Sequence, residues 1–290
     1  MKPANFEYLV PRTQEEALAA LSQHGDRAKV LAGGQSLIPL LNFRLAQPEL
    51  LVDINRLSQL DYVHDWDGGL ALGALTRQHV VESLPAVRDR CPVLAETCHL
   101  IGHLPIRHRG TIGGNLAHGD PASELPALML ALDAELSLQS RNDRRVLNAE
   151  QFFTGALQTA LQPGELLTEV RIPGLPPRTG AAFIEVARRA GDYAVVGVAA
   201  VITLNDVGRC QRARVALCGV GPTPMRAQEA EQLLLGEVAS GEVLAEAARR
   251  AADASDPPSD IHASAAFRRK LAAYTARQAI DLAAQRAGGV

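Results

Sequence analysis

The chain has 290 residues, 21% of them charged, and a formal net charge of −3. That length is enough for a sizeable core and two or three subdomains, and the near balance of charge leaves no basic surface for nucleic acid. Its longest near-apolar stretch, Ala194–Leu204, falls well short of the ~20 residues of a membrane helix, and the opening MKPANFEYLVPRT lacks the apolar segment of a secretory signal, so the expectation is a soluble, cytoplasmic protein.

In chain order, Thr13 and Glu16 predict a capping box for a short helix with Ala17, Leu18 and Leu21 on one face. A strand over 29–32 runs into the segment Ala32-Gly33-Gly34-Gln35-Ser36-Leu37, and 50–54 reads as the next strand. Asp67-Gly68-Gly69 is a turn between strands at 62–64 and 70–73. Thr76 is placed as the cap of a helix through Val80 and Val81, and a further helix starts at Pro92 and ends on the run towards Pro105. A second glycine segment follows, Arg109-Gly110-Thr111-Ile112-Gly113-Gly114-Asn115-Leu116. Next comes a helix from Ala122 past Leu132, with Leu125, Leu128, Met129 and Leu132 on one stripe and with Asp120 and Ser123 able to cap it. Strands return at 135–138 and 169–172, before the linker Pro173-Gly174-Leu175-Pro176-Pro177. Beyond it, 182–187, 194–204 and 212–220 suit an antiparallel sheet. Alanine-rich helices over 227–235, 242–252 and 264–284 close the chain, and Phe267, Leu271, Tyr274 and Leu282 form a stripe expected in a core or a subunit contact.

The two glycine segments carry the functional signal. Glycine admits positive φ and brings backbone N–H groups close to an anion, while Ser36, Thr111, Gln35 and Asn115 add side-chain donors. Neither segment fits G-x-G-x-x-G opening a helix or G-x-x-x-x-G-K-[ST]. Two donor-rich segments after β-like runs point to a ligand with a diphosphate. Cys91, Cys98, Cys210 and Cys218 lack the grouping of an iron–sulfur or zinc site and read as structural thiols. The spacing of His99, His103, His108 and His118 does not suit a shared metal. No Ser-His-Asp or Cys-His arrangement and no G-x-S-x-G is present, which favours an electron-transfer module over a self-sufficient catalyst.

AGGQSLIPLLNFRL and RGTIGGNLAHGDPASELPALMLALDAEL resemble the FAD-binding medium subunit of the molybdenum hydroxylases, the relatives of xanthine dehydrogenase and carbon monoxide dehydrogenase. RRAGDYA at 188–194 and GVGPTP at 219–224 extend the likeness along the chain. The resemblance implies an α+β protein. Two α/β subdomains, 1–56 and 57–175, hold FAD between them in the manner shared by xanthine-dehydrogenase and vanillyl-alcohol-oxidase flavoproteins. A C-terminal three-stranded antiparallel sheet with helices covers 176–290. It further implies non-covalent FAD contacts at Ala32, Gly33, Gly34, Gln35, Ser36 and Leu37, and at Gly110, Thr111, Ile112, Gly113, Gly114, Asn115 and Ala117. Ile101, Ile106 and Leu167 would shape the flavin pocket, Asp120 would join the cofactor contacts, Glu124 would reach the sugar-alcohol chain, and Tyr193 would lie beside the isoalloxazine. Leu167 and Tyr193 also have plain packing readings, and Arg107 and Arg109 read as solvated charges beside an anion site. Relatives often carry Lys where this chain has Ala187.

By the same resemblance the chain has no catalytic residue and no metal of its own. A large subunit would hold the molybdenum cofactor and a small one two [2Fe–2S] clusters, in a dimer of heterotrimers, with electrons leaving through this FAD to NAD, a quinone, a carrier protein or O₂. The alternatives are a stand-alone FAD oxidoreductase on the same scaffold and a cofactor-free scaffold that only binds partners.

Overall fold

The computed structural model describes residues 2–288. The N-terminal unit comprises β1 (Glu7–Leu9), α1 (Gln14–His24), β2 (Ala28–Leu31), α2 (Leu37–Asn42) and β3 (Leu50–Asp53), with a parallel sheet in the order β1-β3-β2. The Thr13 hydroxyl accepts the Glu16 N–H at 3.2 Å, while the Glu16 carboxylate takes the N–H of Arg12 at 2.7 Å. Ala17, Leu18 and Leu21 turn inward, as the spacing predicts. The short helix α2 lies where no periodicity announced it.

The middle unit runs through β4 (Val63–Trp66), β5 (Gly69–Gly73), α3 (Gln78–Ser83), α4 (Pro85–Arg90), α5 (Pro92–Leu100), α6 (Leu104–Arg109), α7 (Ile112–His118) and α8 (Glu124–Ala131). It continues with β6 (Glu135–Gln139), β7 (Arg144–Asn148), α9 (Ala149–Phe152), the hairpin of β8 (Phe153–Gly155) and β9 (Gln158–Thr159), and β10 (Leu166–Ile172). The sheet is antiparallel in the order β4-β5-β10-β6-β7. Asp67 and Gly68 adopt φ of 46° and 73°, the left-handed pair that a tight hairpin turn requires. Thr76 does not cap α3: it is fully buried and its hydroxyl donates to the Tyr62 carbonyl at 2.7 Å. Pro105 does not stop a helix but sits in the first turn of α6, where its missing N–H is harmless.

The C-terminal unit contains β11 (Thr179–Ala187), β12 (Ala194–Leu204), β13 (Cys210–Cys218), β14 (Met225–Arg226), α10 (Gln228–Leu234), α11 (Gly241–Asp253) and α12 (Ala265–Gly288). The three expected long strands pair antiparallel, and the two-residue β14 adds an edge. All eleven residues of β12 are buried, because α8 packs on one face of this sheet and α12 on the other. Burial on both faces is what a continuous apolar run requires.

On α12 the structure excludes a core role for the aromatic members of the expected stripe and leaves the subunit contact as an expectation. Phe267 and Tyr274 are exposed, and Leu271 and Leu282 are only partly buried, whereas Ala272, Ala276, Ala279, Ile280 and Ala283 face the sheet. Small side chains let the helix come close: a Cβ on Gly180 of β11 would stand 2.1 Å from the Ala283 carbonyl oxygen. Gly180→Val should therefore force helix and sheet apart and destabilise the protein by about 3 kcal/mol, the upper end for overpacking. Calorimetric melting of the variant checks this, and an unchanged melting temperature contradicts it.

Candidate functional site

The first glycine segment joins β2 to α2. Its carbonyls turn into the helix, since Ile38 donates to Gly34 and Leu40 to Ser36 at 3.0 and 3.2 Å. Its N–H groups turn out. Among the described residues, the backbone N–H groups of Gly33, Gly34, Gln35, Ser36 and Leu37 have no protein acceptor. Buried or half-buried backbone donors are normally paired, so this row is built to meet something else. Gly34 takes a φ of 73°. The Gln35 amide donates to the Gly33 carbonyl at 3.0 Å, so this side chain braces its own loop.

The second segment is not a loop. Gly113 and Gly114 lie in the first turn of α7, and the Thr111 hydroxyl caps it by accepting the Gly114 N–H at 3.0 Å. Ile112 donates its N–H to Thr76 and Gly113 donates to Ala74, at 3.0 and 2.9 Å. Both donors are spent inside the protein, and the Ile112 side chain is fully buried in the core. Gly113 serves packing: a Cβ there would come within 2.5 Å of the Ala74 Cβ.

The two segments are locked together. A Cβ on Gly33 would lie 2.3 Å from the Arg109 carbonyl oxygen. Asn55 donates its amide to the Ala32 carbonyl at 2.9 Å and accepts from Arg77 Nη2 at 2.6 Å, while Arg77 Nη1 donates to Arg109 O. Asp53 accepts from the Asn55 backbone at 2.9 Å and from the Tyr8 hydroxyl. Neither Asn55 nor Arg77 carries a motif, so sequence reading passed over both. Arg107 is not a solvated charge. It is buried, donates to Glu82 at 2.7 Å, and holds the Ile101 and Gly102 carbonyls at 3.1 and 2.9 Å.

A cleft of about 880 Å³ runs past this junction. Its wall includes Ala32 to Leu37, Ile101, Ile106, Gly110, Thr111, Gly113, Gly114, Asn115, Ala117, Glu124, Leu167 and Tyr193, but neither Ile112 nor Asp120. Asp120 instead accepts the Ala122 N–H at 2.9 Å, a local turn ahead of α8. Ser123 holds the N-cap position without capping, because its hydroxyl donates to Asn115 Oδ1 at 2.9 Å. Leu167 is both core and wall, only 3% exposed. Tyr193 is 52% exposed and stands in the bend between β11 and β12, outside the sheet core. That bend rests on the middle unit, where a Cβ on Gly191 would meet the His103 ring at 2.8 Å. Arg188, beyond Ala187, turns to His262 at 3.2 Å.

The far end of the cleft was not foreseen. It is lined by Gly25, Asp26, Lys29, Val30, Thr154, Gln158, Thr159 and the turn through Gln162, Pro163 and Gly164. Arg145 fixes that turn by gripping both Glu165 oxygens at 2.7 and 2.8 Å. The Pro163-Gly164 pair was the available signal, but such pairs mark turns everywhere.

Electrostatically the near end is acidic. Glu124 is 1% exposed, and burial pushes its carboxyl up to about 8, with Glu185 and Asp120 acting in the same direction. Burial holds His118 below its ordinary value against the pull of Asp120, 4.0 Å away. Such shifted groups gathered in a cleft mark a functional site. All four cysteines are buried free thiols. Among the described residues no helix is long and apolar enough to cross a membrane.

Residues 4–175 match the FAD binding domain of molybdopterin dehydrogenases, and residues 181–283 match the C-terminal domain of carbon monoxide dehydrogenase flavoproteins. The alpha subunit of the 6-hydroxypseudooxynicotine dehydrogenase complex of Paenarthrobacter nicotinovorans is 44% identical, over 93% of this chain and 92% of its own. The caffeine dehydrogenase beta subunit of Pseudomonas sp. CBB1 is 42% identical, over 99% of this chain and 97% of its own. A chain of the Hydrogenophaga pseudoflava carbon monoxide dehydrogenase that lacks the Mo-pyranopterin moiety superposes with a TM-score of 0.96 at 39% identity, over 99% of each chain.

The lock between the segments has a direct test. Asn55→Ala removes its bonds to Ala32 and Arg77, at a cost of about 1–3 kcal/mol if a buried partner is left unpaired. Hydrogen exchange should then quicken both at Ile38 and Leu40, whose N–H groups bond to the first segment, and at 112–115. Quickening at only one segment would show that Asn55 does not couple them.

Proposed function

The chain belongs to the FAD-binding medium subunits of the molybdenum hydroxylase family, and from that premise we propose that it is an electron-transfer subunit whose FAD lies along the cleft. A molybdopterin-binding large subunit and a [2Fe–2S] small subunit would be its partners, in a dimer of heterotrimers in the cytoplasm. Electrons from the iron–sulfur clusters would leave through the flavin to an external acceptor. FAD supplies a redox centre that exchanges electrons singly or in pairs.

One observation carries the reading: the unpaired N–H row from Gly33 to Leu37, held open at the wall of a long cleft. Converging backbone donors suit a diphosphate without needing a cation. We assign the diphosphate to this row, joined by the Thr111 hydroxyl at the cap of α7 and by Asn115, whose amide nitrogen has no protein acceptor among the described residues. Gly114 gives its N–H to Thr111 and lines the wall as bare backbone. Ile112 and Gly113 drop out as donors and keep only their packing roles. Glu124 meets the sugar-alcohol chain. Ile101, Ile106 and Leu167 exclude water from the rings at the end where Tyr193 supplies an aromatic face, and the opposite end, past Gly25 and Gln162, takes the adenosine. No residue of this chain is assigned a bond-making role, and the subdomain boundaries at 56 and 175 are kept as part of the proposal.

The deciding experiment is purification with co-expressed partner subunits. Expected are one FAD per chain, released intact by acid, and flavin bleaching when substrate reduces the complex. Flavin reduced by substrate with this chain alone would instead establish the stand-alone oxidoreductase.

Gly33→Val should weaken FAD binding by about 100-fold, because a branched side chain displaces the Arg109 carbonyl and about 3 kcal/mol of charge-assisted hydrogen bonding goes with it. Equilibrium titration measures this, and wild-type affinity would remove the row from the site. Tyr193→Ala should leave FAD bound, with a loss of about 1 kcal/mol, but change its visible spectrum and fluorescence quenching. An unaltered spectrum would place the ring away from the flavin.

A further inference from the structure

Glu185 is an acidic side chain beside the cleft that has no hydrogen bond or ion pair among the described residues. It sits on β11, half-buried, and its Oε2 is shielded from solvent without a hydrogen-bond partner. Across the sheet it pairs with Gly197 of β12, which pairs with Cys218 of β13. Directly paired residues point to the same face. Cys218 is fully buried in the core that α8 shares, so this row looks at α8 and at its first residue, Glu124. Gly197 keeps the row open, since a Cβ there would stand 2.7 Å from Cys218 Sγ and 2.9 Å from the Phe183 ring.

Two carboxyl groups thus face the same core layer, Glu124 almost wholly shielded and Glu185 with one oxygen shielded. The Ser123 hydroxyl donates to Glu124 Oε2 at 3.4 Å. Asp120 from the preceding turn, Cys98 from α5, Cys218 from β13 and Tyr193 from the bend are the other titratable groups whose charge it feels, with His118 on the cleft wall. Arg107, the buried guanidinium of α6, is committed to Glu82. No cation offsets either carboxyl group, and two such neighbours do not both ionise at neutral pH.

We propose that Glu185 is a positioning residue that keeps Glu124 protonated, so that Glu124 meets the cleft ligand as a hydrogen-bond donor and not as an anion. The inference rests on the reading that FAD fills the cleft, where a neutral carboxyl group adds a donor for the sugar-alcohol chain without a second negative charge near the diphosphate. Burial pushes Glu185 up to about 7 and Glu124 to about 8, the order expected if Glu185 ionises first and leaves its neighbour the proton. Carboxyl groups raised in the folded state bind protons that the unfolded chain has already released. Stability should therefore fall as pH rises from the ordinary carboxylate range to about 8.

The test uses the full chain labelled with ¹³C at the glutamate carboxyl carbons, with resonances assigned through Glu124→Gln and Glu185→Gln. In the wild type, Glu124 should remain protonated at pH 6.5 and ionise after Glu185. In Glu185→Gln its midpoint should drop by at least one pH unit. FAD titrated into the same proteins should bind Glu185→Gln like wild type at pH 5.5 but, for a one-unit drop from about 8, about threefold more weakly at pH 7.5, although the substitution removes a negative charge. Glu124 ionised below pH 6 in the wild type, or a midpoint unmoved by Glu185→Gln, overturns the inference. If the variant does not fold, the order of the two wild-type ionisations decides alone. Failure of wild-type chain and complex to bind FAD at either pH would overturn the FAD reading while the carboxyl titration still judges the pair.

Discussion

Everything at the cleft depends on how closely two stretches of backbone approach one another. Gly33 lies against the carbonyl of Arg109 with no room for a side chain, and that contact joins the parallel sheet of the N-terminal unit to the helices of the middle one. Because Arg109 precedes α7 and Gly33 precedes α2, the contact also fixes where both helices begin. The surrounding bonds are polar and few: Asn55 on one side, Arg77 on the other, and Asp53 with Tyr8 behind them. A backbone junction of this kind is rigid without being apolar, which leaves the adjoining N–H row free of competing acceptors.

The other constraint is the position of α8. Every residue of this helix is buried, including a glutamate, because it fills the space between the middle sheet with its helices and the C-terminal sheet. One helix therefore serves as floor for the cleft and as core for two units. The acidic character of the near end follows from that economy, since a carboxyl group at the start of α8 has nowhere wet to go.

Legibility in the sequence followed the physics of each segment. The first glycine segment could be read because its distinguishing feature lies in the backbone, a row of N–H groups without acceptors from Gly33 to Leu37. The long strands β11, β12 and β13 could be read because burial on both faces leaves an unbroken apolar run. The second glycine segment was legible only in part, since the close packing of Gly113 on Ala74 leaves no mark in the sequence. β7 escaped notice because exposed and half-buried residues alternate along it and its polar side chains mask the period. Arg107 was misread because sequence cannot distinguish an arginine in water from one folded over the carbonyls of Ile101 and Gly102. The far wall beyond Gly25 and Gln162 is assembled from turns, whose residues look alike whether or not they line a cavity.

The strand order of the middle sheet has a consequence for how the protein is made. β5 pairs with β10, and α3 to α9 with four strands lie between them in the chain. Contacts so distant in sequence form slowly, and a ribosome delivers the N-terminal partner long before the C-terminal one. During synthesis β5 must wait as an unpaired edge with its apolar residues uncovered. The nascent chain cannot complete the wall of the cleft until Tyr193 has emerged.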